Sequence, residues 1–267
     1  MAKTTRISIF ETLIIIILLN IAEGLQMPRY FIEVAYKGTN YSGFQKQHNA
    51  NSIQAELENA LEVFYRQKFE LTGSSRTDAG VHALQNFFHF DSDTPLADGS
   101  YNLNAILPND IVCKRIFQVT DGAHCRFDAT SREYHYYIYQ QKDPFLQDRG
   151  CYVPYPVDIT LLQLAAREIM QHHDFTSFSK RNTQVTHFGC DIYISEWEQQ
   201  ANYMVYKVKA NRFLRGMVKG LVGTMLLVGK KKIGIDEFRA IIESKDCTKA
   251  DFSMAPDGLF LHKVIFP

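Results

Sequence analysis

Two consecutive stretches of the chain show nearly the same order of strands and helices, and this order limits the fold more than any other feature of the sequence. The first stretch opens at Tyr30, where apolar residues alternate along a predicted strand. A helix follows from Asn51, because apolar side chains recur there at helical spacing. Strands at 69–72 and 85–91, a short helix at 101–107 and a strand at 111–119 complete the predicted order.

The second stretch repeats this plan with variations. It comprises an aromatic strand at 133–140, a helix capped by Asp158, strands at 189–197 and 203–210, two helices and a closing strand at 259–266. The helix predicted at 214–228 carries Gly216, Gly220 and Gly223, and glycines weaken a helix. We therefore expect another part of the chain to approach the backbone of this helix closely.

Strand, helix, strand, strand, helix, strand is the order of the split β-α-β, or ferredoxin-like, arrangement. No segment rich in proline, glycine or serine separates the two stretches. The sequence therefore predicts an α+β fold of two ferredoxin-like halves, 27–124 and 125–267, which share a continuous, mostly antiparallel sheet flanked by helices. With 267 residues, 46% of them hydrophobic, the chain can bury a core of that size.

Residues 1–26 differ from the rest of the chain. Lys3 and Arg6 precede an apolar run that ends before Ala22, an outline that a secretory signal shares. The run is shorter than the roughly 20 apolar residues of a membrane span. Alternatively, translation starts at Met27, which leads directly into the first strand. We favour Met27 and expect a cytoplasmic protein with no membrane partner, because five cysteines, an odd number without a Cys-x-x-Cys pair, fit a reducing compartment.

The charge balance excludes a general attraction to polyanions. Acidic and basic residues are equal in number, so the formal net charge is zero and any nucleic-acid site must be a local basic patch. Candidates for phosphate contacts follow the predicted strand at 203–210; they are Lys207, Lys209, Arg212 and Arg215. The two lysines share one face of that strand, which is also typical of a solvated sheet edge. The spacing of histidines and cysteines predicts no metal site.

Residues 73–83, with the sequence GSSRTDAGVHA, form a tight loop between two predicted strands. Asp78 stands two positions after Arg76 and two before Gly80. A short connection between strands gives rigid support to a catalytic group, and a nearby arginine keeps a carboxylate ionised. Aspartate and glycine are also ordinary turn residues. Taken alone, the pattern leaves both a catalytic loop and a simple turn open.

Residues 75–91, SRTDAGVHALQNFFHFD, resemble the catalytic signature of the tRNA pseudouridine synthase A family. Further segments agree with that family in order and spacing, at 36–47, 104–111, 126–134, 174–178, 213–223 and 257–259. The resemblance is specific because independent segments agree. It covers nearly all of the chain from Tyr30 onward and none of residues 1–26.

The resemblance implies a role for each of five residues. Asp78 corresponds to the catalytic aspartate, and Arg76 to an arginine that engages RNA and helps to hold the target nucleotide out of its stack. Tyr134 matches a tyrosine that lies against the target base, and Leu259 a small apolar contact to the same pocket. Lys219 stands where many members carry arginine as the ionic partner of the aspartate. A lysine keeps the charge but lacks the planar guanidinium, so the geometry of the pair differs.

The implied activity is the isomerisation of uridine to pseudouridine in the anticodon stem-loop of tRNA, at tRNA positions 38 to 40. The resemblance also implies tRNA as partner and a homodimer. The reaction conserves all atoms, so we expect no cofactor, and the sequence contains no phosphate-binding glycine motif. A single carboxylate in a closed apolar pocket suits this chemistry, because water would hydrolyse the detached ribose. Whether Asp78 attacks the ribose or the base stays open, and Tyr134 could help to remove a proton from the base.

Two other functions compete with this one. The aromatic strand at 134–139 could stack bases in a non-catalytic RNA-binding protein of the same fold. An exported or membrane-tethered hydrolase is suggested by residues 1–26 alone.

Overall fold

The structure, a computed structural model, describes residues 27–181 and 185–267. The signal-like segment 1–26 lies outside these ranges. The strands are β1 (Arg29–Tyr36), β2 (Thr72–Gly73), β3 (His82–Asp91), β4 (Ile111–Val119), β5 (Ser131–Tyr139), β6 (Cys151–Tyr152), β7 (Ile192–Gln199), β8 (Met204–Ala210) and β9 (Leu259–Ile265). The α-helices are α1 (Ile53–Tyr65), α2 (Ser100–Ile106), α3 (Ile159–Ile169), α4 (Met217–Gly229) and α5 (Ile235–Glu243).

One sheet runs through both halves of the chain. Its order is β4-β1-β3-β9-β5-β8-β7, with β2 paired to β3 and β6 paired to β5. With the two-residue β6 left out, each half has four strands; the fourth lies beside the first, followed by the third and then the second, which is the ferredoxin-like order. The halves meet where β3 pairs in parallel with β9, His82 opposite Phe260 and Ala83 opposite Leu261. The predicted α+β fold with a continuous, mostly antiparallel sheet is confirmed.

Helices cover one face of the sheet and bury a core under each half. In the first half, Leu57 of α1 and Leu103 of α2 belong to a cluster with Phe88 of β3. In the second half, helices α3 to α5 bury a cluster around Tyr136 of β5. The cores interlock, because Val81 belongs to the second cluster while Leu261 of β9 belongs to the first. Within the described ranges, no helix is both long enough and apolar enough to cross a membrane.

Several predicted element boundaries were wrong. The cap of α1 is Ser52, whose Oγ accepts the Ala55 N–H at 3.3 Å, and not Asn51. β2 is only two residues long and begins where the predicted strand ends, because pairing with β3 starts at Thr72. The strand that carries Lys207 and Lys209 is not an edge of the sheet, since β8 pairs with both β5 and β7.

Helix α4 begins later than predicted, and its glycines have the expected cause. Gly216 precedes the helix with a left-handed φ of 76°. A Cβ atom on Gly223 would lie 2.2 Å from the Asp251 carbonyl oxygen, and one on Gly220 would lie 2.8 Å from the Phe252 ring. The segment after α5 therefore lies directly against the backbone of α4, as the glycine pattern predicted for Gly220 and Gly223.

Candidate active site

Asp78 lies on the loop that joins β2 to β3, and buried polar groups hold this loop in place. Asn86 of β3 is fully buried and donates from Nδ2 to the Ser75 carbonyl oxygen at 2.8 Å. The same Nδ2 donates to the Tyr36 hydroxyl at 3.1 Å, and that hydroxyl lies 2.8 Å from Thr77 Oγ1. An unpaired buried polar group destabilises the folded protein, so breaking these hydrogen bonds is costly. They therefore fix the loop on both sides of Arg76.

The turn after β1 packs against the loop that carries Asp78. The N–H of Phe44 donates to the Thr77 carbonyl oxygen at 3.1 Å, and the N–H of Gly38 donates to Nδ1 of His82 at 3.0 Å. His82 Nε2 lies 3.2 Å from the carbonyl oxygen of Asp257, so one buried imidazole joins three segments. Burial lowers the pKa of His82 and thereby favours the neutral ring that can accept from Gly38.

Gly38 lies so close to the loop that carries Asp78 that no side chain fits there. A Cβ atom there would lie 2.0 Å from the Val81 carbonyl oxygen, and main-chain atoms cannot move aside cheaply. We therefore expect Gly38→Ala to lower the free energy of unfolding by about 2 kcal/mol and to reduce kcat by displacing the loop. Urea unfolding and a turnover assay measure the two effects. Gly122→Ala is the control, because nothing lies within 4 Å of its Cβ position, and equal stability of the two variants would contradict the prediction.

The ionic partner of Asp78 is Lys219. Lys219 Nζ lies 3.6 Å from Asp78 Oδ2, and the lysine side chain is 10% exposed whereas the aspartate is 42% exposed. Lys219 belongs to the first turn of α4, so the positive end of that helix points toward the same carboxylate. The pair joins the two halves, because the aspartate comes from the first half and the lysine from the second.

Arg76 does not provide the charge next to Asp78. Within residues 27–181 and 185–267 the Arg76 side chain forms no ion pair, and it is exposed. Closeness in sequence does not decide which cation meets Asp78. The buried Lys219 reaches the carboxylate, whereas the exposed Arg76 faces outward. The cation beside Asp78 is thus Lys219, the ionic partner that the family resemblance implied, and not Arg76.

Tyr134 and Leu259 lie on neighbouring strands of the second half. The Tyr134 ring stands edge-on to Phe213, with ring centroids 4.9 Å apart. Burial raises the pKa of Tyr134 to about 12; the charge of Asp78 acts in the same direction and that of Arg132 opposes it. Leu259 is buried at the start of β9, which pairs with β5. Tyr134 is therefore a neutral phenol within the electrostatic influence of Asp78.

The remaining candidates lie further along the second half. Arg212 Nη1 lies 3.4 Å from His187 Nδ1, and Arg215 is exposed just before α4. Lys207 is engaged by Glu198. The structure thus brings Asp78 together with Lys219, whereas no contact links Arg212 or Arg215 to that pair in the described part of the chain.

One group of side chains has the composition of a metal site. Glu133, His135 and His262 offer ligand atoms within 4.8 Å of one another on the sheet face away from the helices. The two imidazole rings are stacked, with centroids 3.8 Å apart and planes 11° apart. Since the lone pairs of an imidazole lie in its plane, nearly parallel rings do not direct them at a common ion. The prediction that the protein needs no metal stays a prediction.

A family of known sequences matches most of the chain. The family described as tRNA pseudouridine synthase matches residues 32–128 and 165–267. The relative from Parabacteroides distasonis named tRNA pseudouridine synthase A is 41% identical over 244 residues, which cover 90% of this chain and 97% of the relative. Relatives of the same name from Porphyromonas gingivalis and Staphylococcus aureus are 43% and 35% identical, covering 90% and 88% of this chain and 98% and 91% of their own lengths.

This chain belongs to the tRNA pseudouridine synthase A family. The two matched segments of the family include Asp78, Lys219 and Leu259, whereas Tyr134 falls in the interval between them. The resemblance of the chain to this family is therefore confirmed over both halves of the fold.

Sequence reasoning missed the polar groups that support the loop of this pseudouridine synthase homologue. His82 was placed in the loop 73–83 but begins β3, whereas Asn86 and Tyr36 lie within strands that read as ordinary apolar alternation. Their only signal is a polar or hydroxylated side chain at a position where the pattern requires a buried residue. Such positions are informative, because buried polar side chains are retained where they find hydrogen-bond partners.

Proposed function

We propose that this protein isomerises uridine to pseudouridine in tRNA, with Asp78 as the catalytic carboxylate. One observation carries the proposal: a carboxylate on a loop held by hydrogen bonds lies 3.6 Å from a buried ammonium group that comes from the other half of the chain. The ion pair places a positive charge beside the carboxylate and leaves part of the carboxylate accessible, since the Asp78 side chain is 42% exposed. A uridine can reach it only after leaving its stack, which costs a few kcal/mol.

The reaction breaks the bond between ribose carbon 1′ and uracil nitrogen 1, and it forms a bond from carbon 1′ to uracil carbon 5. Carbon 5 releases a proton to solvent and nitrogen 1 takes up a proton, so atoms and electrons balance without a cofactor. Asp78 acts as a nucleophile or as an electrostatic stabiliser, toward either ribose or base. Lys219 orients the carboxylate and neutralises part of its charge before the substrate arrives.

The other site residues serve the detached base. Tyr134 stays protonated at neutral pH, since its pKa is about 12, so it contacts the uracil as a neutral ring with a hydroxyl group. Leu259 supplies apolar surface, and Arg76 occupies the space that the extruded nucleotide leaves. Asp78 is 42% exposed in the free protein, so the bound RNA itself must complete the dry pocket.

A non-catalytic RNA-binding function agrees less well with the aromatic strand. Base stacking on a sheet needs aromatic side chains on one accessible face. Tyr136 is fully buried beneath the helices and donates its hydroxyl to the Ala255 carbonyl oxygen, whereas Tyr137 points to the opposite face beside Phe260. The strand therefore offers no continuous surface for base stacking. RNA binding without catalysis would also not require the ion pair between Asp78 and Lys219.

Several finer properties belong to the same proposal. The target uridines are those of the anticodon stem-loop at tRNA positions 38 to 40, and the protein acts in the cytoplasm as a homodimer that binds tRNA. The halves 27–124 and 125–267 must act together, because Asp78 comes from one and Lys219 from the other. Light scattering that gives the mass of a single chain at working concentration would contradict the dimer.

The decisive experiment follows the hydrogen on uracil carbon 5. Wild-type protein is incubated with unmodified tRNA that carries tritium at this carbon, without added cofactor. We expect release of tritium to water, and no release from a tRNA in which the uridines at positions 38 to 40 are replaced by cytidine. Complete retention of tritium by a folded, tRNA-binding protein would contradict the isomerase function, and release from the substituted tRNA would contradict the target positions.

A further inference from the structure

The buried imidazole of His82 links the two halves of the chain at the start of β9. His82 begins β3 and is 1% exposed. Its Nε2 atom lies 3.2 Å from the carbonyl oxygen of Asp257, which belongs to the short 3-10 helix Pro256–Gly258. Strand β9 begins at the next residue, Leu259. The His82 ring also packs against Phe260, with ring centroids 4.5 Å apart, so it contacts both the 3-10 helix and the strand that follows.

The hydrogen-bond partners of His82 define the protonation state of its ring. Nδ1 lies 3.0 Å from the main-chain nitrogen of Gly38, which is a donor, so Nδ1 accepts and carries no proton. Nε2 then carries the ring proton and donates it to the Asp257 carbonyl oxygen. A protonated imidazole has no acceptor to offer Gly38, so the two contacts can coexist only while the ring is neutral.

The 3-10 helix that accepts from His82 is held by both halves of the chain. Gly80, on the loop between β2 and β3, lies against Pro256, since a Cβ atom on Gly80 would lie 2.7 Å from Pro256 Cγ. From the second half, Tyr136 of β5 donates its hydroxyl to the Ala255 carbonyl oxygen at 2.6 Å. His82 adds a directional hydrogen bond from the first half. It therefore helps to set the position of the start of β9 relative to that loop.

The groups packed around His82 favour its neutral ring. Burial lowers the pKa of His82 below its ordinary value of 6.5. The hydrogen bond to the Asp257 carbonyl oxygen opposes this effect, as do the charges of Asp257 and of Asp148 in the loop after β5. Lys37, in the turn after β1, lowers the pKa of the ring further, and Phe260 carries no charge. The neutral ring therefore predominates at neutral pH and is lost as the pH falls below 6.5.

We infer that His82 is a positioning residue for turnover: its neutral ring holds the start of β9, and with it Leu259, in place beside the Asp78 loop, and protonation of the ring releases that segment. The inference rests on the proposed function, in which Leu259 supplies apolar surface to the detached base. The ring is buried and does not touch RNA, so tRNA affinity should depend little on it. Turnover should depend on it strongly, because small displacements of groups around a reacting base are costly.

Two substitutions separate the two hydrogen bonds of His82, with kcat measured by tritium release at saturating tRNA. His82→Asn places an amide oxygen near the Nδ1 position, so it keeps the contact with Gly38 and loses the contact with Asp257. We expect its kcat at neutral pH to fall about tenfold, with little change in the KM for tRNA. His82→Gln reaches the Nε2 position and can donate to the Asp257 carbonyl oxygen, so it should recover most of the lost kcat.

The pH dependence of kcat distinguishes positioning by the neutral ring from a simple packing role. Wild-type kcat should decrease as the pH falls below 6.5, because the ring takes up a proton. Both His82 variants should lack this decrease and show only the losses that carboxylates cause at lower pH. His173→Asn, which removes a 66% exposed histidine, should keep the wild-type kcat at every pH. The same decrease below pH 6.5 in the wild type and in His82→Asn would overturn the inference.

Unfolding by urea tests the same ring without turnover. Because folding lowers the pKa of His82, the unfolded chain binds the proton more readily, and the folded protein loses stability as the pH falls below 6.5. His82→Asn should lack this loss, so its stability relative to the wild type should increase between neutral pH and about pH 5.

Two surface variants keep the inference testable if neither His82 variant folds. Lys37 and Asp148 form an ion pair in which both side chains are 42% exposed. Lys37→Gln should raise the pH at which kcat begins to decrease, and Asp148→Asn should lower it, because the two charges act on the His82 ring with opposite signs. A decrease at the same pH in both variants would contradict the assignment to His82.

Turnover and stability together separate this inference from the proposed function. If the wild type releases tritium and His82→Asn matches its kcat at every pH, the inference is overturned and the isomerase function stands. If the wild type releases no tritium but loses stability relative to His82→Asn below pH 6.5, the isomerase function is contradicted, and the role of the neutral ring in holding the start of β9 is supported.

Discussion

Replacing Asp78 by asparagine is expected to reduce kcat for pseudouridine formation by at least about 10⁴-fold while the protein still folds and binds tRNA. The substitution keeps the size of the side chain and removes its charge. The loop should survive, because the bonds from Asn86 to Ser75 and from Phe44 to Thr77 do not involve the Asp78 carboxylate. Tritium release measures turnover, and equilibrium binding of tRNA measures the interaction that remains.

The matched control for this variant is Asp93→Asn. Asp93 is an exposed aspartate that follows β3, at the opposite end of that strand from the Asp78 loop. It should retain wild-type turnover, because it changes the net charge by the same amount without touching the site. An Asp78→Asn protein with more than a tenth of wild-type turnover would exclude Asp78 as the catalytic group. A loss of tRNA binding equal to the loss of turnover would instead indicate a role in binding alone and would also contradict the assignment.

Replacing Lys219 by glutamine is expected to lower kcat by about 10² to 10³-fold, with a much smaller effect on the KM for tRNA. The Lys219 side chain is only 10% exposed, so solvent screens its charge little, and this charge lies 3.6 Å from the carboxylate. Without that charge the carboxylate loses both its orientation and its electrostatic partner. Steady-state turnover at varied tRNA concentration separates the effect on kcat from the effect on KM.

Two further variants define the role of Lys219. Lys68→Gln removes an 85% exposed lysine and should leave kcat unchanged. Lys219→Arg keeps the positive charge and should recover part of the lost activity, limited by the fit of a larger group within α4. Wild-type kcat in Lys219→Gln would show that the ion pair is structural only, and equal losses in Lys219→Gln and Lys219→Arg would show that shape, not charge, matters at this position.

The sequence predicted the fold well where periodicity is local. Alternation gave β4 with the observed bounds, and Asp158 was identified as the cap of α3, where its Oδ1 accepts two main-chain N–H groups. Glycines in a predicted helix correctly indicated a close neighbour, Asp251 against Gly223. These features depend on a few consecutive residues, so a pattern of apolar, capping and glycine positions is enough to predict them.

Predictions failed where distant segments decide the outcome. The strand with Lys207 and Lys209 reads like an edge, but β7 pairs along it and makes it internal. Local sequence put Arg76 beside Asp78, whereas Lys219, which only the family resemblance had implied, is the cation that pairs with it. The pocket was expected to be dry, whereas Asp78 is 42% exposed in the free protein. Nothing in a local pattern states which helix end will face a loop, or how far solvent will reach it.

The amino-acid sequence by itself determined the α+β class, the order of elements in two ferredoxin-like halves, and the loop that carries Asp78. Tertiary structure alone decided which buried polar groups hold the Asp78 loop and how far solvent reaches its carboxylate. The physical reason lies in the parallel pairing of β3 with β9, where His82 faces Phe260. That register joins strands from opposite ends of the chain, and side chains from each half acquire partners that no short-range periodicity encodes.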